Sequence, residues 1–301
     1  MAYTFKPDES VPEAIRRVAL EQIEGALESL AAKPPERDEA VHDARKRIKK
    51  LRALLRLVQR ELGEAFASEN IRLRDVGRNL SLFRDAVAMI ETFDTLRQKR
   101  AKDFAEDSLE SVRQGLVTHK TRAEQQENIK AVMQAAAREL RSTRSRVKQW
   151  PLHDDGFPAI APGIEKTFRR GRLAMETAEQ HPTAENFHAW RKRVKDYWYH
   201  VRLLNGLWPD VMTGLENSLK CLEDALGMDH NLNVLSARID AEPAFFGTPE
   251  QIDSLRQAIA HFQKQLREEA RPIGLRIYGE KPKEMRRRLE HWWSEWKANA
   301  A

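Results

Sequence analysis

The chain has 301 residues, 33% of them charged and 41% hydrophobic, with 52 Lys and Arg against 46 Asp and Glu for a net charge of +6. This composition excludes intrinsic disorder, there is no run of about 18 apolar residues to cross a bilayer, and the single Cys221 allows no internal disulfide. Met1 to Pro7 lacks the charged-then-apolar order of a secretory signal, so a soluble cytoplasmic protein is expected, long enough for two domains of about 150 residues.

In chain order, Ser10-Val11-Pro12-Glu13 is a capping box with Pro in the first turn, and Ile15, Val18, Ala19, Ile23 and Leu27 follow at helical spacing. This first helix stops near Lys33-Pro34-Pro35, and a second runs from about Asp38 to Leu62, with Gly63 marking its end. At about 100° per residue, His42, Arg45, Lys46, Lys49, Arg56 and Arg60 share one side of the second helix. Val41, Ala44, Ile48, Leu51, Leu54, Leu55, Val58 and Leu62 form an apolar stripe opposite. An ordinary exposed helix mixes signs, since oppositely charged neighbours four apart help and like charges hurt. This ridge contains no Asp or Glu and reads as a surface for an anion.

A third helix starts near Ala65 and carries Leu73, Val76, Leu80, Phe83 and Val87, with Arg74, Arg78, Ser81 and Asp85 on another side. A fourth helical region is predicted from about Thr95 to Thr118, and a long polar helix from about Ala123 to Lys148. No strand periodicity is present. Trp150-Pro151 to Gly156-Phe157-Pro158 breaks the helical pattern with two prolines and a glycine, which divides the chain into residues 1–152 and 153–301.

The second half opens with a helix holding Ile164, Phe168 and Met175 beside Arg169, Arg170 and Arg172. After His181-Pro182-Thr183 the basic helix returns. His188, Arg191, Lys192, Lys195, Tyr199 and Arg202 form its ridge, opposite Trp190, Val194, Tyr197, Val201 and Leu204. Seven of 17 aligned positions are identical at an offset of 146: His42/His188, Arg45/Arg191, Lys46/Lys192, Arg47/Arg193, Lys49/Lys195, Arg56/Arg202 and Leu57/Leu203. Six of the seven are His, Arg or Lys, so the charged side has kept its identity while the apolar side has drifted, the reverse of what two merely amphipathic helices would do. The offset continues without a gap, placing Leu73-Arg74 on Leu219-Lys220, Leu80 on Leu226 and Arg84-Asp85 on His230-Asn231. Thr248-Pro249-Glu250-Gln251 is another capping box, opening a helix to about Arg271, and a last helix runs from Pro282 through Trp292, Trp293 and Trp296, three rings expected to pack in a core or lid. Lys297 falls on its frayed end.

The doubled His-x-x-Arg-Lys-x-x-Lys, together with Phe168-Arg169-Arg170-Gly171-Arg172 and Leu219-Lys220 through Leu226-Gly227 to Asn231, resembles the CHAD family, the conserved histidine α-helical domain, over nearly the whole chain. The resemblance implies an all-α fold of two four-helix bundles related by an internal repeat with pseudo-two-fold symmetry. Basic helix faces would line a central cavity that binds inorganic polyphosphate. Its binding residues carry over to His42, Arg45, Lys46, Lys49, His188, Arg191, Lys192 and Lys195, and further to Arg74, Lys220, Arg169 and Arg172; Arg56 and Arg202 complete the set from the ridges themselves. Two positions depart from the pattern. Asn231 stands where the family commonly has Asp, and Asp196 sits where the first copy has Lys50. Members are often fused to a triphosphate-processing tunnel domain, for which this chain has no motif, so the resemblance implies a stand-alone, non-catalytic binding module without a cofactor.

A flexible phosphate polymer needs donors at short intervals, and from His42 to Arg56 the helix rises about 21 Å. Nucleic acid is the second candidate partner because it offers similar backbone charge, although single-strand binders add aromatic platforms and only Trp198 and Tyr199 accompany these ridges. A metal site at the ridge histidines is disfavoured by the surrounding cations. A role as an accessory to a phosphoanhydride-handling enzyme is the remaining alternative, since the chain carries no phosphate-loop, zinc-protease or nucleophile-elbow motif. The ridge histidines are expected to make binding stronger at lower pH, and both ridges are expected to face one cleft.

Overall fold

A computed structural model of the protein describes residues 3–32, 37–100, 109–126 and 128–299, apart from the side chains of 82–85 and 123–126. Among these residues there is no strand. The expected proline stop at Pro34 and Pro35 and the side chains of Phe83, Arg84 and Asp85 lie outside the described residues.

Helix α1 (Val11–Leu30) starts on the expected capping box, where the Ser10 hydroxyl accepts from the Glu13 amide and the Glu13 carboxylate accepts from the Ser10 amide. The basic helix α2 (Arg37–Leu57) is shorter than its periodicity suggests. At Val58 the backbone leaves helical geometry and a single turn, α3 (Gln59–Leu62), follows, closed by Gly63 at φ 51°, a conformation that costs glycine nothing. All eight residues of the predicted apolar stripe of α2 and α3, from Val41 to Leu62, are buried.

The predicted third helix is two, α4 (Glu64–Asn79) and α5 (Ser81–Lys99), broken at Leu80; the Ser81 hydroxyl donates to the Arg78 carbonyl and caps the break. Residues 123–126 finish α6 (Glu110–Gln126), and the polar helix α7 (Ile129–Val147) begins later than predicted because the Asn128 side chain accepts from the Ala131 amide.

After the non-helical segment around Pro151, α8 (Phe157–Gln180), α9 (Ala184–Leu203) and α10 (Pro209–Ala241) follow. Helix α10, 33 residues without a break, covers the span that α4 and α5 cover in the first half. A short α11 (Pro243–Phe246) precedes α12 (Pro249–Ile277), which continues through Pro272 beyond the predicted end at Arg271. Burial holds that last turn, since Gly274 lies against Trp190 and Met175 and Ile277 is buried. Helix α13 (Pro282–Ala298) closes the chain; Trp293 packs with Phe5 and Phe157 in the core. Lys297 is not on a frayed end. Its ammonium donates to the carbonyls of Pro7 (2.9 Å) and Glu9 (2.5 Å) and sits over the Trp293 and Trp296 rings.

Helix α1 packs on α2 and α7, and α4 on α2 and α7. In the second half α9 is flanked by α8 and α10, with α12 on α10 and α13 on α8. Helix α2 joins the two sets by lying against both α8 and α9, and α5 reaches across to α10. The two backbones come close at Gly163 of α8, where a Cβ would fall 1.9 Å from the Leu57 carbonyl oxygen. That neighbour is backbone and cannot rotate away. Gly163→Ala is therefore expected to destabilise the protein by about 3 kcal/mol or more in urea unfolding. Gly214→Ala, at an open helical position, should gain up to about 1 kcal/mol. Equal effects at the two glycines would contradict this seam.

Candidate functional site

Because α9 is wedged between α8, α10 and α2, it is buried on more than one side. His200, fully buried, uses Nε2 to bond the Ala53 carbonyl of α2 at 2.8 Å, which fixes the two basic helices side by side. The Tyr3 hydroxyl donates to the Lys50 carbonyl at 3.0 Å and its ring meets Tyr199 edge-on, so the N-terminal segment clasps the same seam.

Between α2 and α9 lies a cavity of about 460 Å³. Arg45, Lys49, Arg52 and Arg56 line it from α2; His188, Arg191, Lys192, Arg193, Lys195, Asp196 and Tyr199 from α9; His230 comes from α10 and Ser81 from the first turn of α5. Eight of these side chains are Arg or Lys. One is a carboxylate, and Asp196 is already engaged, with Arg56 and Arg193 each at 3.2 Å.

Seven of the fourteen residues expected to bind are thus brought together: Arg45, Lys49, Arg56, His188, Arg191, Lys192 and Lys195. The rest lie elsewhere. His42, half-buried on α2, is not in the cavity lining, and the exposed Lys46 lines a neighbouring groove between α1 and α2 beside Asp43 and Arg47. Arg74 is exposed and pairs with Asp75 at 2.8 Å, Arg172 pairs with Glu176 at 3.0 Å, and Arg169 is exposed on α8. Arg202 pairs with Glu216 at 3.1 Å and lies over the Trp198 ring, which Lys220, itself paired with Asp224, also approaches. The charges of Arg202 and Lys220 still reach cavity side chains, Arg202 acting on Tyr199 and Lys220 on Lys195.

Sequence periodicity missed Arg52, Arg193, His230 and Ser81 as lining residues. Arg193 was signalled by its identity with Arg47 and His230 by the 146 offset. Tyr199, expected on the ridge, is buried against Trp198 instead of standing open. Nor are the ridges uncompensated. Glu223 of α10, almost completely buried, pairs with Lys195 at 2.8 Å and Arg191 at 3.2 Å.

Crowding of like charge in a partly dry space sets the protonation states. Burial, with Lys195, Arg45 and Arg191 adding to it, brings the Lys49 ammonium down to about 7. Burial also lowers Lys192 and Lys195, the latter opposed by Glu223, and it takes the Arg52 guanidinium down to about 10. The His188 and His230 rings stack at 3.9 Å, and burial and neighbouring charge hold them at about 4 and about 3, so both are neutral at physiological pH. Burial works against the Glu223 carboxylate, but Lys195 and Arg191 together outweigh it and keep the group below its ordinary value.

Such a site is poor at holding a cation and well suited to a polyanion that would neutralise several mutually repelling groups at once. Two comparisons bear on it. The family model of the CHAD domain matches residues 16–240. The crystal structure of the CHAD domain from the plant Ricinus communis is similar with a TM-score of 0.65, covering 91% of this chain and 94% of that one at 18% identity, a likeness of fold. No curated protein matches the chain. Among the described residues, no helix is long and apolar enough to cross a membrane.

Proposed function

The chain belongs to the CHAD domain family, and from that premise we propose that it binds inorganic polyphosphate, without catalysis, in the cavity between α2 and α9. The observation that carries this reading is the convergence of eight Arg and Lys side chains from both basic helices on one cavity. On this reading residues 1–152 and 153–301 are two repeats about a pseudo-two-fold axis, each contributing one wall. A cation about 4 Å from a phosphate gains roughly 4 kcal/mol at an effective dielectric near 20, before desolvation, so a few such contacts suffice for tight binding. Arginine adds paired hydrogen bonds to phosphate oxygens, while lysine contributes a compact charge.

Polyphosphate is preferred over nucleic acid because, among the described residues, the site offers no open tyrosine or tryptophan platform for a base. Tyr199 is buried, and Trp198 is stacked on it and approached by Arg202 and Lys220. A non-catalytic role is favoured because Asp196, the lining carboxylate, is tied between two arginines and is poorly placed to act as a base.

Isothermal titration with polyphosphates of defined length, against triphosphate and an oligonucleotide, tests the ligand class. Long-chain polyphosphate should bind tightest and displace the oligonucleotide at matched phosphate concentration; failure to displace it would leave nucleic acid as the ligand. Chain sizing after incubation with magnesium should show no shortening.

A further inference from the structure

The 146 offset that pairs Lys49 with Lys195 also pairs Gly77 with Glu223, and at this position the two walls differ in kind. In the first wall Arg45 Nη1 donates to the Gly77 carbonyl at 2.9 Å, and Lys49 makes no ion pair with a described carboxylate. In the second wall a single oxygen, Glu223 Oε1, receives both Lys195 Nζ at 2.8 Å and Arg191 Nη2 at 3.2 Å. That oxygen sits where a phosphate oxygen would have to sit to use the same two cations. Two buried donors or acceptors on the same wall, Arg191 Nε and His188 Nδ1, meanwhile have no hydrogen-bond partner among the described residues. A buried polar atom left unpaired is costly, and here both belong to cavity-lining side chains.

We propose that Glu223 is a resident competing anion, which a polyphosphate chain must displace from Arg191 and Lys195, and that it thereby sets the charge density a ligand needs to occupy the second wall. This rests on the reading of the cavity as a polyanion site. A tethered carboxylate competes at high effective concentration, so a free anion of low charge cannot dislodge it. A linear polyphosphate can, because once one phosphate is held by Lys49 its covalently linked neighbours are presented to Arg191 and Lys195 at an equally high local concentration. Freed of Glu223, Arg191 can also satisfy its Nε. Anions with sparser charge, single sulfate ions or nucleic-acid backbones, leave Glu223 in place.

The test compares the full-length protein with Glu223→Gln and Glu223→Ala by calorimetric titration with long-chain polyphosphate, tripolyphosphate and sulfate at several salt concentrations. Both variants are expected to bind tripolyphosphate about tenfold tighter, and log affinity should fall more steeply with log salt, by about one unit of slope, because one more cation now exchanges counterions for ligand. Sulfate binding, weak in the wild type, should rise with it. If the wild type binds polyphosphate and both variants match it in affinity and slope, Glu223 is a structural clamp and the proposal falls while the site assignment stands. If the wild type fails to bind and the variants bind, the proposal stands and the functional reading of the native chain falls; if none binds, both fall. Should the variants not fold, the wild type itself decides through the carbon-13 signal of the Glu223 carboxyl. Polyphosphate should raise its titration midpoint by removing Lys195 and Arg191, and an unmoved midpoint in the saturated protein overturns the proposal.

Discussion

Lys49→Glu is expected to weaken long-chain polyphosphate binding by about a hundredfold or more, equivalent to about 2.7 kcal/mol, while raising the melting temperature of the unliganded protein. The two effects have one cause. Lys49 faces Lys195, Arg45 and Arg191 and lacks a carboxylate partner among the described residues, so its charge is a net burden on the folded state. A carboxylate there would replace repulsion from the three cations with attraction and, by the same contacts, fill the place of the ligand. Binding sites commonly hold destabilising charge that the ligand neutralises, which makes loss of function with gain of stability their signature. Lys195→Glu should weaken binding as strongly but lower the melting temperature, because it removes the partner of Glu223 and sets two carboxylates together. Lys283→Glu serves as the charge control; it is exposed in the first turn of α13, where an acid is welcome. Calorimetry with a chain long enough to span both walls should give one ligand per protein. Two equal independent sites, or a Lys49→Glu protein that binds normally, would show that the walls do not act on one ligand.

The basic ridge was legible in the sequence because helical periodicity separates it from an apolar stripe that is buried throughout, and because the two copies agree in their charges. Periodicity reports one helix at a time, and this limited the rest. It placed His42, Arg45, Lys46 and Lys49 on one side of α2, yet the cavity takes Arg45 and Lys49 and leaves Lys46 to the groove on the α1 side, since the width of the opening depends on where α9 crosses. Glu223 escaped notice for the same reason. Glu223 lies 28 residues from Lys195 on another helix, and nothing in the spacing of α10 marks it as facing α9. The helix ends were misread at Val58, Leu80 and Pro272, where packing rather than local propensity decides whether the chain continues. The lowering of His188 by neighbouring cations was legible, but its burial and its stacking on His230, which hold the two rings at about 4 and about 3, were not, because they depend on how α9 and α10 meet.

Affinity for long-chain polyphosphate is expected to fall by about a hundredfold from pH 6 to pH 9, with Lys49 and not the histidines responsible. Free Lys49 titrates at about 7 because burial and the charges of Lys195, Arg45 and Arg191 penalise its ammonium form, with Glu223 opposing them. A phosphate chain between these groups reverses the penalty and restores the lysine towards its ordinary value. Above pH 7 the complex therefore holds a proton that the free protein has lost, and affinity drops by up to tenfold per pH unit until the bound lysine also deprotonates. Stability of the unliganded protein runs the other way. The folded value is depressed below the unfolded one, so the unfolded chain holds more protons between about 7 and the ordinary lysine range, and the Lys49 contribution to stability increases as pH rises through that window. Lys50, brought down to about 8 chiefly by burial, adds to the stability trend with the same sign. Long chains are the right probe because their few terminal phosphates, which titrate near neutrality, contribute little. Lys49→Met should flatten the affinity profile between pH 7 and 9, whereas His188→Ala should leave it unchanged there and act only below about pH 6, where a bound anion lifts the ring from its value of about 4. A profile that stays steep in Lys49→Met, or flattens above pH 7 in His188→Ala, would return the proton to the histidines.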